Sequence, residues 1–104
     1  MELMSVSYNL IVSPDTWEDI SSYIEYIILV CDAPKTGKKH YDDLLSVLEK
    51  IEKFPELNSI RNHSSLAKYG VNVRLANYKK MTFIYTVNGN TVNVHRLLPA
   101  SMIP

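Results

Sequence analysis

Arg74, His95 and Arg96 are the side chains whose types and spacing could do chemistry together. An imidazole exchanges a proton near pH ~6.5, and a guanidinium can grip an anion through two parallel N–H donors. Strand parity decides whether they meet. Val71, Val73 and Leu75 alternate with Asn72, Arg74 and Ala76, and Met81, Phe83, Tyr85 and Val87 alternate with Thr82, Ile84 and Thr86. That period of two marks strands with one face on a core. Asn88-Gly89 signals a hairpin, because a type I′ turn needs positive φ at both central positions. With those two residues as the loop, Val87 pairs with Asn90, Tyr85 with Val92, and Phe83 with Val94, all facing the core. Thr82 then lies opposite His95, and Arg74 points away from Val73 and Leu75. Arg74, Thr82 and His95 are therefore expected to converge on the open face. A one-residue slip would exchange the faces and turn Arg96 outward, and a bulge between Val94 and Leu98 would let both face out. The register with His95 outward is preferred, since a slip would bury Asn93 and expose Val92 and Val94. Arg96 then falls on the covered side, where it either snorkels at the sheet end or pairs with a helix carboxylate.

The remaining candidates are less constrained. Lys79 and Lys80 sit at a turn between two strand patterns. Arg61, His63 and Lys68 lie in an irregular segment that fixes no direction for them. His40, His63 and His95 lack metal-ligand spacing, and Gly37-Lys38-Lys39 lacks the other glycine and the hydroxyl of a phosphate loop. No metal and no cofactor is expected. Cys31 has no flanking base signature of the kind an activated nucleophile needs, and it reads as a small buried side chain near a helix end.

The elements that must position these side chains follow from periodicity. Val6, Tyr8, Leu10 and Val12 alternate with Ser5, Ser7, Asn9 and Ile11, giving a first strand. Ser13 suits an N-cap and Pro14 the first helical position. Trp17, Ile20, Ile24, Ile27 and Ile28 recur at helical spacing, so a helix runs roughly over 14–30 with those side chains inward. Asp32-Ala33-Pro34 breaks it. Tyr41, Leu44, Leu45, Leu48, Ile51 and Phe54 form a second stripe over roughly 35–54, supported by the Glu49–Lys53 pair, and Phe54-Pro55 ends it. The short connection implies antiparallel helices. A short edge strand near Ile60 is weakly patterned. The expected fold is α+β: a strand, two antiparallel helices, then an antiparallel sheet of three to four strands with both helices on one face.

Composition narrows the class. The chain of 104 residues has room for a single domain, 1–104, with 46% apolar residues and balanced charge, eleven basic against eleven acidic. Balance argues against indiscriminate nucleic-acid binding, which draws on clustered Lys and Arg. A lone cysteine fits a reducing, cytoplasmic setting. Met1 to Met4 carries an acid where a secretory leader would carry basic residues, and Tyr26 to Cys31 is far too short an apolar run to cross a bilayer.

In this order, the residues resemble the RelE/ParE family of bacterial toxins over nearly the whole chain. Tyr8 to Ile20 (YNLIVSPDTWEDI) is similar to the family's strand, Ser-Pro and acidic helix start. Tyr23-Ile24, then Ile51-Glu52-Lys53-Phe54-Pro55, Val73-Arg74, Phe83 to Val87, and Val92 to Leu98 resemble later segments. The resemblance implies a toxin held by a cognate antitoxin protein. Arg74, in the role of a phosphate contact, and Arg96 match family positions; with His95, placed by strand parity, they are the candidate catalytic residues, and Lys79, Lys80 and Arg61 are the candidate substrate contacts. Cleavage of mRNA at the ribosome by 2′-hydroxyl attack needs a base, an acid and a phosphate-holding cation. Pro99-Ala100-Ser101-Met102 stands where plasmid-stabilisation-type members usually carry a basic tail, and the net charge of zero is low for the family's ribonucleases. Two alternatives therefore stand beside the ribonuclease: a non-enzymatic inhibitor of DNA gyrase, and a non-toxic antitoxin-binding relative. The apolar tail, Leu97-Leu98 to Met102-Ile103, suits a contact with the antitoxin or with a second copy in a homodimer.

Overall fold

The computed structural model describes residues 7–104. Its elements are β1 (Asn9–Val12), α1 (Pro14–Glu25) continued by a π-helical turn (Tyr26–Val30), α2 (Pro34–Lys53), and short 3₁₀ turns at Pro55–Leu57 and Ser64–Tyr69. The hairpin strands β2 (Arg74–Tyr78), β3 (Met81–Asn88) and β4 (Thr91–Pro99) follow. Tyr8, Leu10 and Val12 pack inward as the alternation requires; Ser5 and Val6 lie outside the described residues. No helix among the described residues is long and apolar enough to cross a membrane.

The strands are ordered β1-β4-β3-β2. The last three are antiparallel, as expected, whereas β1 joins β4 in parallel. The helical hairpin makes this possible, because parallel neighbours need a long crossover between them. Both helices cover one face: Ile20, Leu44, Leu48 and Ile51 meet Ala76, Phe83, Tyr85, Val92, Val94 and Leu97 in one buried cluster. Where the helices approach each other, Gly37 leaves no room for a side chain: a Cβ there would stand 2.5 Å from Ile28 Cγ1.

Trp17 departs from expectation. It is 42% exposed, while Thr16 beside it is buried. Capping chemistry sets this rotation. The Ser13 hydroxyl accepts from the Thr16 backbone N–H at 3.0 Å and donates to the His95 carbonyl at 2.8 Å, and Thr16 Oγ1 donates to the Val94 carbonyl at 3.3 Å. These bonds aim Thr16 and Ile20 at the sheet and swing Trp17 about 100° round the helix. Tyr41 and Phe54, placed on the second stripe, are likewise exposed, at its two ends, and Cys31, expected to be buried, is exposed just past the π-helical turn.

The second face of the sheet is partly covered. Leu66, from the 3₁₀ turn Ser64–Tyr69, packs with Val73 and Ile84, and Tyr69, Leu75, Leu98 and Ile103 close around them. Near Ile60 there is one antiparallel bridge, to Arg74, and no full strand.

Candidate functional site

The hairpin joining β3 to β4 sets the register at the site. Val87 pairs with Val92 and Tyr85 with Val94, so the loop is Gly89-Asn90, one residue beyond the expected pair. Gly89 takes φ 60°, which suits a turn with glycine at its first central position. Up to Val94 the faces stay as expected although the partners shift; past it they exchange, so Leu97 joins the main core and Arg96, expected on the covered side, pairs with Ile84 of the second-face cluster, the outcome a bulge between Val94 and Leu98 allows. Beyond Val94 the register breaks, with Tyr85 opposite Val94 but Ile84 opposite Arg96. His95 is thus the extra residue of a β-bulge, and the Ser13 hydroxyl satisfies its carbonyl.

His95 faces the second side of the sheet. Its Nε2 lies 2.8 Å from Thr86 Oγ1, and its ring centroid is 5.6 Å from that of Tyr69. Burial pushes the imidazole pKa below its ordinary value, because a desolvated ring resists taking charge. A lowered value keeps the ring neutral at pH 7. Thr82, the expected neighbour, is buried elsewhere on that face and donates to Asn77 Oδ1 at 2.7 Å.

Arg74 is on the other side, which corrects the expected convergence. Val73 and Leu75 belong to the smaller second-face cluster, so Arg74 and Ala76 point toward the helices. Arg74 Nη1 donates to the carbonyls of Glu56, at 3.3 Å, and Asn58. Beside it the Tyr85 hydroxyl donates to the Pro55 carbonyl and accepts from Asn58 Nδ2 at 3.2 Å. Arg74 thus ties the chain leaving α2 to the sheet.

Arg96 reaches α1. Its Nε and Nη2 donate to the Asp19 carboxylate at 2.7 and 2.9 Å, which is the pairing with a helix carboxylate read as one alternative from sequence. Asp19 Oδ2 also accepts the Leu97 backbone N–H at 3.0 Å. The guanidinium is occupied by a carboxylate where a phosphate would have to sit.

The three proposed substrate contacts are dispersed. Lys79 and Lys80 form the turn between Tyr78 and Met81, with Lys79 at φ 53° and its Nζ 5.7 Å from the Tyr78 ring. They stand at the end of β2 opposite Arg74, about 15 Å along the strand. Arg61 donates to the Pro104 carbonyl, and its backbone N–H donates to Val73 O at 2.7 Å. With His63 it lines a groove of about 390 Å³ on the irregular segment.

Sequence reasoning did not find the partners of His95. Thr86 was hidden by the shifted register, and Tyr69 sits in a segment without periodicity. It also missed a cluster at the junction of α1, α2 and β2. There Tyr23 OH and His40 Nδ1 are 2.9 Å apart, Tyr78 OH donates to Asp43 Oδ2 at 2.8 Å, and Lys39 pairs with Asp43 at 3.0 Å. Burial pushes the His40 pKa down, helped by Lys79 and Lys39. Burial and Asp43 push the Tyr78 phenol up. Among the described residues no cluster of His, Cys, Asp and Glu could hold a metal.

No protein-family model matches the chain, and no curated protein does. Among solved structures it is similar to a chain of the chromosomal ParDE TA (toxin–antitoxin) system from P. aeruginosa. The two are 14% identical with a TM-score of 0.70, over 91% of this chain and 98% of that one. At that identity the likeness is one of fold, and the fold is the α+β architecture that the family resemblance implies.

Proposed function

We propose that this chain is the toxin-type component of a toxin–antitoxin pair, held by an antitoxin protein in the cytoplasm, and that it acts on its target by binding. The fold likeness, near full length on both sides, to a chain of a ParDE TA system supports the first part. The carrying observation for the second is the state of the two arginines. Arg96 is bound to Asp19 and Arg74 to backbone carbonyls on the opposite side from His95. Phosphoryl transfer at a strand of RNA needs a cation at the reacting phosphate; Arg74 lies across the sheet from His95, and the Arg96 guanidinium, on the His95 side by register, is held by Asp19. On this reading the target is a protein such as DNA gyrase, as for the family's non-enzymatic members.

The ribonuclease reading keeps one specific support: His95, neutral and hydrogen-bonded to Thr86, has the protonation state of a general base. Regulated expression in a bacterial host separates the readings. Growth arrest with DNA damage and intact mRNA supports target binding. Arrest with mRNA cleaved at ribosomes overturns it in favour of catalysis. No arrest, together with failure of every neighbouring small open reading frame to give a stable complex on co-expression, overturns the toxin–antitoxin reading itself.

A further inference from the structure

Asp19 and Ser22 line two clefts at once. One, of about 320 Å³, is an apolar groove between the end of α1 and the end of the sheet, walled by Tyr23, Tyr26, Met81, Leu97, Leu98 and Pro99. The other, of about 200 Å³, is polar and holds Asp15, Glu18 and Arg96. The two meet at Asp19 and Ser22, so a continuous channel follows one side of α1, apolar at one end and acidic at the other. Tyr26 is 57% exposed at the apolar end, and Leu29 and Val30 extend apolar surface beyond it.

Charge specifies what could lie there. No Lys, Arg or His precedes Lys35, and α1 carries Asp15, Glu18, Asp19 and Glu25. Among the described residues only Asp19 of these four has a cationic partner, Arg96. Asp15 and Glu18 therefore give the polar end a net negative potential. Nucleic acid and anionic membrane surfaces would be repelled. A positively charged protein segment would be drawn in, and complementary charge of this kind sets register and encounter rate. The apolar end would bury its hydrophobic side chains, as exposed apolar patches beside polar rims commonly do.

We infer that this channel is a docking site for an amphipathic basic segment of a partner protein, with apolar side chains seated between Tyr26 and Leu98 and Lys or Arg facing Asp15 and Glu18. The inference does not depend on the toxin-type reading, since it rests on the shape and charge of the clefts between α1 and the end of the sheet.

The test is fluorescence anisotropy of the full chain with a labelled twelve-residue peptide. The peptide carries two leucines four positions apart at one end and three arginines at the other. Two control peptides replace the arginines with glutamate or the leucines with serine. The parent peptide is expected to bind, and each control to bind about tenfold more weakly. In the chain, Asp15→Asn with Glu18→Gln should weaken the parent peptide several-fold and flatten its salt dependence. Tyr26→Ser should weaken it without changing that dependence, and Lys68→Gln should do nothing. Circular dichroism and melting confirm that the variants fold. Three outcomes overturn the inference: no binding of the parent peptide, equal binding of the glutamate control, or indifference to the α1 substitutions. A fourth is self-association in sedimentation that Tyr26→Ser abolishes, which would assign the channel to a second copy of this chain.

Discussion

Asp19 accepts three hydrogen bonds from the end of β4: two from the Arg96 guanidinium and one from the Leu97 backbone N–H. The carboxylate is well buried, with 17% of its side chain exposed, whereas Arg96 keeps 36%. The pair fastens α1 to the sheet just past the bulge at His95. Because Asp19 serves the backbone as well as Arg96, the two partners are not equivalent. Asp19→Ala strands both a guanidinium and an N–H and should cost about 2 kcal/mol. Arg96→Ala leaves Asp19 its bond to Leu97 and lets water take the places of the two guanidinium donors, and should cost about 1 kcal/mol. Arg96→Lys should not restore stability, because an ammonium cannot make the two-pronged contact. Urea unfolding of the three variants checks the order. Equal losses for Asp19→Ala and Arg96→Ala would show that the Leu97 bond contributes nothing.

Leu48 and Trp17 were both assigned to the core by periodicity, and the structure separates them. Leu48 is 4% exposed within the main cluster, and Trp17 is 42% exposed. Leu48→Ala should destabilise by roughly 2–5 kcal/mol through lost burial and the cavity left behind. Trp17→Ala should cost under about 1 kcal/mol, as substitutions away from the core do. Thermal melts of both variants test the rotation of α1. A loss at Trp17 matching that at Leu48 would mean that the helix turns its other side to the sheet.

The features legible in the sequence are those written in local chemistry. Ser13-Pro14 marks the start of α1 because cap and first-turn preferences concern neighbouring residues only. The helical stripes gave the topology, and Asn88-Gly89 gave the hairpin within one residue. The site was less legible, for two reasons. Parity tells which residues share a face but not which face is which when both bury apolar groups. Val73 and Leu75 looked like the main core and belong to the smaller cluster under Leu66, and this inverted Arg74. The bulge at His95 depends on Ser13 meeting a carbonyl far along the chain, a contact that no local pattern around Val94 to Leu98 announces.

His40 and His95 make stability depend on pH. Burial lowers both folded-state values, and at His40 Lys79 and Lys39 add to the effect against the opposing charge of Asp43. The unfolded chain then takes up these protons first, near pH ~6.5. Stability is full above that pH. It falls as the solution is acidified through about 6.5 and stops falling from this source once the folded-state values are passed. Urea midpoints from pH 8 down to 5 should show the decline, and His40→Gln with His95→Gln should remove most of it. NMR titration of the two imidazoles gives the folded values directly. Values at or above 6.5 for both rings would rule this account out.

Arg74→Ala and His95→Ala should have different consequences, because the two side chains lie on opposite sides of the sheet. Arg74 holds the carbonyls of Glu56 and Asn58, next to the Tyr85 hydroxyl that holds Pro55. Removing it should loosen the segment after α2 and lower the melting temperature, since the carbonyls of Glu56 and Asn58 lose a charged donor. The His95 side chain makes one hydrogen bond, to Thr86, and rests on the Tyr69 ring, and its backbone contact with Ser13 survives substitution. His95→Ala should therefore leave the fold largely intact. In a growth-arrest assay, a chain that acts by binding should keep its effect after His95→Ala, or lose only a part of it. It should lose effect after Arg74→Ala only as far as the folded population falls. A ribonuclease using His95 as its base would instead lose about 10²–10⁴-fold in cleavage after His95→Ala at unchanged stability. Measuring melting temperature and growth for the same variants keeps folding and function apart. Loss of arrest by folded His95→Ala, with mRNA cleavage lost alongside it, would replace the binding mechanism with catalysis at His95.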